Sequence, residues 1–180
     1  YIDRTRSRPS TFFEGGQVCH ISQADPFCPE LNTTFHEAGK KIDGLNIKLG
    51  GTYVCIEGPQ FSTRAESKVF HSWGGDVIGM TVYPEVVLAA ELAMCYCTIA
   101  TVTDLDVWAA ECDKCGVVEY GKACPDCNGP IHPLQVSVDE ILETMRVNAE
   151  NLKKLIEIAI PEIPKQAGCN CKNSLLGAIL

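Results

Sequence analysis

Between residues 104 and 127 the chain concentrates the side chains best suited to chemistry: Asp104 and Asp106, then Cys112, Cys115, Cys124 and Cys127. Two carboxylates held together in a secluded site resist ionising together, so one keeps its proton towards neutral pH and becomes a general acid. Read alone, the same pair suits an ordinary turn capped by Asp side chains. The cysteines form two Cys-x-x-Cys knuckles separated by eight residues. Four thiolates so spaced suit a tetrahedral Zn²⁺ ion, with iron or a pair of disulfides as the other chemistries open to them.

The elements that must position these groups follow from the apolar pattern. Residues 52–57 predict a buried strand, 62–73 a helix, 76–81 a second strand, and 84–93 a second helix opened by Pro84 in its first turn. Residues 95–103 are almost continuously apolar or small and predict a third strand covered on both faces, with Asp104 and Asp106 at its end. In α/β proteins such strand ends carry the ligand-contacting groups, so three of them are expected to converge on one pocket. Residues 138–160 predict a long amphipathic helix with Ser137 as N-cap and Glu140 placed for a capping box; its apolar face should pack on the sheet. Pro161 and Pro164 end it. The fold class is α/β, a mixed sheet flanked by helices with right-handed crossovers.

Composition narrows the partners. With 46 % hydrophobic and 21 % charged residues the chain reads as one globular domain with a sizeable core. A net charge of −8 without a dense Lys/Arg run disfavours nucleic acid and anionic membrane surfaces. The apolar run 86–99 is interrupted by Glu91, and no charged-then-apolar signal opens the chain. A small-molecule partner and a cytoplasmic location are expected.

Several ordered blocks together resemble purine nucleoside phosphorylases, and within them the 5′-methylthioadenosine phosphorylase branch. They are Ile2-Asp3-Arg4-Thr5, His20-Ile21, Asp25-Pro26-Phe27-Cys28-Pro29, the stretch from Gly50 to Trp108, and Val136-Ser137-Val138-Asp139. The resemblance implies conversion of 5′-methylthioadenosine and phosphate into adenine and 5-methylthioribose 1-phosphate, with phosphate as co-substrate and no catalytic cofactor. It makes Asp104 and Asp106 the catalytic carboxylates, because cleavage leaves negative charge on the purine and a donor at N7 relieves it. Ser62 would donate to the bare N1 of adenine while Asp104 accepts from its amino group; a 6-oxopurine would suit Glu and Asn instead. Phe61 would stack on the base, though an aromatic there also suits plain core. Met80 would touch the ribose and Thr81 the phosphate, while Val138 and Ile141 would line an apolar slot for the methylthio group. His20 would reach across a subunit interface, and the resemblance implies a homotrimer or homohexamer. An opening at Tyr1 inside a mid-family motif implies the C-terminal part of such an enzyme, incomplete at its N-terminus and inactive by itself. A 6-oxopurine or methylthioinosine phosphorylase, and a non-catalytic zinc-ribbon interaction protein, are the alternatives.

Eleven cysteines without a secretion signal argue against a secreted disulfide framework. Residues 111–132 depart from the family pattern and resemble a small rubredoxin-like ribbon inserted into a unit spanning 1–164. Residues 165–180 form a tail whose Cys169-Asn170-Cys171 is similar to the Cys-x-Cys tail of archaeal thermophilic relatives; a disulfide there would close a small, strained and redox-labile ring, and read alone the pair is two exposed thiols. Cys19, Cys28, Cys55, Cys95 and Cys97 suit small buried residues.

Overall fold

The computed structural model describes residues 1–134 and 137–179; Val136, which opens the last matched block, and Leu180 at the end of the tail lie outside the described residues. Ile2–Arg4 (β1), Tyr53–Ile56 (β2) and Val77–Gly79 (β3) form a parallel sheet with β2 in the centre, Val54 pairing with Ile2 on one side and Ile78 on the other. Val54 and Cys55 are buried, as a central parallel strand requires. Parallel neighbours need crossover connections. Pro29–Gly39 (α1) lies between β1 and β2, and Arg64–Ser72 (α2) between β2 and β3. Val82–Glu91 (α3) follows β3 and is broken at Tyr83 (φ −103°, ψ 132°), so its regular part begins at Pro84.

A second, antiparallel sheet is made by Ala109–Cys112 (β4), Gly116–Glu119 (β5) and Ile131–Pro133 (β6), in the order β5-β4-β6. It has its own small core of Ala110, Cys112, Val118 and Cys124, flanked by Tyr120 and Ile131. Gly116, at φ 74°, turns the first knuckle into β5 in a conformation that L side chains avoid. Val138–Ala159 (α4) completes the fold.

Two helices start with reciprocal capping boxes, Thr63 with Glu66 on α2 and Ser137 with Glu140 on α4. The Ser137 N–H and then its hydroxyl hold the Glu140 carboxyl below its ordinary 4.5. That contribution is complete above the ordinary value and fades as pH falls through the lower folded value, so Glu140→Gln should lower stability at about pH 7 but barely at about pH 3. Urea titrations at both pH values measure it.

Two expectations are corrected. Residues 95–103 form no strand: the parallel sheet ends at β1 and β3, and among the described residues no strand lies beside this segment to complete a ladder. It is held irregularly instead, the Tyr96 carbonyl accepting from the Cys28 N–H (2.7 Å) and the Val102 carbonyl from Asn148 (2.9 Å). Helix α4 does not pack on the sheet. Leu155 and Ala159, near its end, join Ala38 of α1, with Phe35, Ile42, Ile47 and Ile99 around them. The 22 residues of α4 run about 33 Å, far beyond what strands of three or four residues can back. Val138, Leu142 and Met145 are accordingly exposed. Among the described residues no helix is long and apolar enough to cross a membrane.

Candidate active site

The ends of β1 and β2 and the loop into α2 enclose an open cleft of about 490 Å³, lined among others by Arg4, Thr5, Arg6, Glu57, Phe61, Ser62 and Glu66. Arg8 ties together the strand ends beside it. Its guanidinium donates to the Glu57 carboxylate (3.1 Å), the Glu57 carbonyl (2.9 Å), the Met80 carbonyl (2.8 Å) and the Tyr83 carbonyl (2.5 Å). The Arg6 N–H, and after it the Arg8 side chain, hold the Glu57 carboxyl below its usual range. The Thr63 N–H and hydroxyl do the same for Glu66, helped by the charges of Arg4 and Arg6. The cleft therefore presents ionised carboxylates facing guanidinium groups.

Phe61, 87 % exposed, and half-buried Ser62 sit on the lip of this cleft. Met80 lies beside it: a Cβ added at Gly58 (φ 72°) would stand 2.6 Å from the Met80 sulfur, so the loop after β2 closes against this side chain only because Gly58 has none. Thr81 is exposed at the entry to α3. Asp104 is exposed and accepts only from its neighbour Thr103 (2.6 Å). Asp106 accepts from the buried Ser67 hydroxyl (2.6 Å) and from the Val107 N–H (2.8 Å), while Ser67 accepts in turn from the Trp108 N–H (2.9 Å). The two carboxylates thus have different partners, and Asp104 faces solvent. Val138 is exposed and Ile141 half-buried in the first turn of α4, and His20 is exposed, its N–H donating to the Ala178 carbonyl (2.7 Å). The structure gathers Phe61 and Ser62, with Met80 alongside, and leaves Thr81, Asp104, Asp106, Val138, Ile141 and His20 outside the cleft lining.

The knuckle cysteines Cys112, Cys115, Cys124 and Cys127 do come together, all four sulfurs lying within 4.8 Å of one another. A tetrahedral ion with Zn–S bonds of about 2.3 Å separates its ligands by about 3.8 Å; Cys112 and Cys127 stand 3.6 Å apart. The N–H groups of Lys114 and Cys115 point at the Cys112 sulfur and hold its thiol down at about 7. Hydrogen bonds with Cys127 and Cys124 push Cys115 up to about 12. Four sulfurs at ligand spacing, one of them met by two backbone N–H groups, fit a structural metal. The ribbon is clasped to α2. Lys68 donates to the Tyr120 carbonyl (2.5 Å) and pairs with Glu119 (3.3 Å), Arg64 covers the Tyr120 ring at 3.7 Å, and Trp108 stacks on His71 at 3.9 Å.

Residues 1–161 match the Phosphorylase superfamily. The chain belongs to this superfamily. It is 46 % identical over 175 residues to an S-methyl-5′-thioadenosine phosphorylase of Pyrococcus abyssi, covering 97 % of this chain and 58 % of that protein. A namesake from Nitrosopumilus maritimus is 43 % identical over 97 % of this chain and 57 % of its own length. Among solved structures, a methylthioadenosine phosphorylase from an Antarctic soil metagenomic library aligns with a TM-score of 0.81 at 37 % identity, covering 99 % of this chain and 56 % of that one. The methylthioadenosine phosphorylase of Schistosoma mansoni in complex with adenine gives 0.74 at 27 % identity, over 99 % and 63 %. The chain spans somewhat more than half the length of these relatives. The mixed α/β architecture of this phosphorylase-superfamily chain is that of the phosphorylases to which it aligns.

Sequence reasoning passed over the charged frame of the cleft. Its signal was the alternation Arg4-Thr5-Arg6-Ser7-Arg8 following Tyr1-Ile2-Asp3, which puts three guanidinium groups at and just beyond the end of an edge strand. In this phosphorylase-superfamily chain Arg8→Ala should cost about 2–3 kcal/mol, because half-buried carbonyls lose a charged donor. Arg8→Lys should restore only part, since an ammonium cannot copy the fork. Denaturant midpoints of the three proteins check this.

Proposed function

We propose that the protein is a purine nucleoside phosphorylase acting on S-methyl-5′-thioadenosine. What carries this reading is identity of 41–46 % to S-methyl-5′-thioadenosine phosphorylases over nearly the whole chain, with Phe61 and Ser62 on one cleft as support. A phosphate oxygen attacks C1′ of the ribose as the C1′–N9 bond breaks. The bonding pair leaves with the purine, which takes up one proton to become adenine, and the sugar leaves as 5-methylthioribose 1-phosphate. Ser62 donates to N1, Asp104 accepts from the amino group and supports protonation at N7, and Asp106 holds the loop that carries Asp104. Phe61 covers the base, Met80 the ribose, and Thr81 donates to phosphate. Val138, Ile141 and a partner copy's His20 surround the methylthio end, in a cytoplasmic homotrimer or homohexamer.

The cysteines Cys112, Cys115, Cys124 and Cys127 hold a structural Zn²⁺, in a ribbon spanning about residues 111–132 that interrupts a unit of residues 1–164, with 165–180 as a tail. The metal takes no part in the chemistry in this reading. Catalytic efficiency of the intact protein on methylthioadenosine and on inosine tests the assignment. Methylthioadenosine should be preferred by about fivefold or more, the ~1–3 kcal/mol of a mispaired buried contact. A preference for inosine or methylthioinosine would replace the assignment with an oxopurine one, and no phosphorolysis of any purine nucleoside would leave a ribbon-bearing binding protein.

A further inference from the structure

A second group of four thiols lies away from the ribbon and plays no part in the proposed reaction. The sulfurs of Cys28, Cys95, Cys169 and Cys171 all lie within 4.8 Å of one another, those of Cys95 and Cys169 at 3.4 Å. They come from three distant stretches: Cys28 is the N-cap of α1, Cys95 follows α3, and Cys169 and Cys171 belong to the tail. Cys28 and Cys169 are buried and the other two half-buried. We infer that these four cysteines form a second tetrathiolate site, which binds one Zn²⁺ ion and fastens the tail to the body of the fold.

Three observations converge on it. The spacing brackets the separation of about 3.8 Å that a tetrahedral Zn–S₄ unit needs, and all four sulfurs share one locus instead of separating into two pairs. A backbone N–H and a helix end face the sulfurs. The Cys171 N–H is directed at the Cys169 sulfur, as the Lys114 and Cys115 N–H groups are at the Cys112 sulfur. Cys28, the N-cap of α1, stands at the positive end of that helix. Finally, the tail needs a fastener. Among its described residues only Cys169 and Ala178 are buried, and its other ties are Ser174 donating to the Ala90 carbonyl (2.6 Å), His20 donating to the Ala178 carbonyl (2.7 Å) and the bridge of Cys19 with Ile179. Four thiols and one Zn²⁺ give a tetrathiolate complex and four protons with no change of oxidation state, whereas two disulfides would require an oxidant.

Metal content of the reduced, purified chain decides the matter, with Co²⁺ exchanged for Zn²⁺ as a spectroscopic probe of thiolate ligation. The wild type should carry two equivalents, and Cys169→Ser with Cys171→Ser one. The variant with Cys112, Cys115, Cys124 and Cys127 all replaced by Ser should also carry one and still show the thiolate-to-cobalt absorption. Cys97→Ser, two residues from Cys95 but outside the group, should keep both equivalents. Should the fourfold variant fail to fold, the tail variant alone still decides, because the ribbon remains intact in it. Equal metal content in wild type and tail variant would overturn the inference, as would two disulfides among these four cysteines in the freshly isolated, unreduced chain. Because the readout is metal and not turnover, the outcome is independent of the phosphorylase assignment.

Discussion

Removing metal from the ribbon is expected to unfold residues 109–133 while the parallel sheet stays in place. Of the four residues in the ribbon's buried core, two are the knuckle cysteines Cys112 and Cys124, and the others are only Ala110 and Val118. So little apolar surface cannot order three strands and their turns against the conformational entropy they lose. A structural zinc supplies about 10–16 kcal/mol, larger than any single contact in this chain can contribute. Hydrogen exchange with and without a chelator should therefore show protection lost across β4, β5 and β6 and retained in β2. The clasp on α2 is lost with it: once Tyr120 and Glu119 are free, Arg64 and Lys68 lose their partners on the helix that follows Ser62. The proposed activity should fall without vanishing, since Phe61, Ser62 and Asp104 lie outside the ribbon. Cys112→Ser with Cys127→Ser should carry one metal equivalent fewer than wild type; equal content in the two would falsify ribbon metal binding.

Legibility in the sequence followed how local each feature is. The Ser137–Glu140 capping box is a four-residue pattern and α4 begins where that pattern puts it, whereas the equivalent Thr63–Glu66 box went unread and α2 begins at Arg64 and not at residue 62. The knuckle cysteines are likewise spaced by short turns and meet as the spacing indicates. The run 95–103 misled because apolar and small residues report burial, whereas a strand also needs a neighbour to pair with, which composition does not encode. The same gap hid the role of Arg8, whose partners Glu57, Met80 and Tyr83 are distant in the chain and whose contacts depend on two strands ending side by side. Cys28 and Cys95 read one at a time as small core residues, and Cys169 with Cys171 as a tail motif. Only the packing of the α1 N-cap, the end of α3 and the tail makes them one cluster. Phe61 and Ser62, picked out by the family resemblance, both line the cleft because they lie in the loop between β2 and α2.

Asp104→Asn and Asp106→Asn should fail in different ways, although the residues stand two apart on the same loop. Asp104 is exposed and bonded only to Thr103, so its replacement should change stability by no more than about 0.5 kcal/mol. In the proposed reaction, however, it faces the purine. The Asn oxygen can still accept from adenine's amino group, but its NH2 now offers a donor to the O6 of a 6-oxopurine, which should erode the preference for methylthioadenosine over inosine by about 1–3 kcal/mol. Loss of the carboxyl at N7 should lower kcat/KM on methylthioadenosine by about 10²-fold or more. Asp106 is bound into the fold. Its carboxylate accepts from Ser67, a side chain with no exposed surface, and that hydroxyl accepts from Trp108, where the chain enters the ribbon. Asp106→Asn puts an amide into that relay and should cost about 1–3 kcal/mol of stability. Ser67→Ala should do the same without touching either carboxyl, so a shared loss of stability in Asp106→Asn and Ser67→Ala identifies the relay as a positioning device. Denaturant midpoints, with kcat/KM for both substrates in the intact protein, separate the two effects. Full adenine preference in Asp104→Asn would remove this residue from base recognition, and an Asp106→Asn protein as stable as wild type but inactive would move the catalytic role to Asp106.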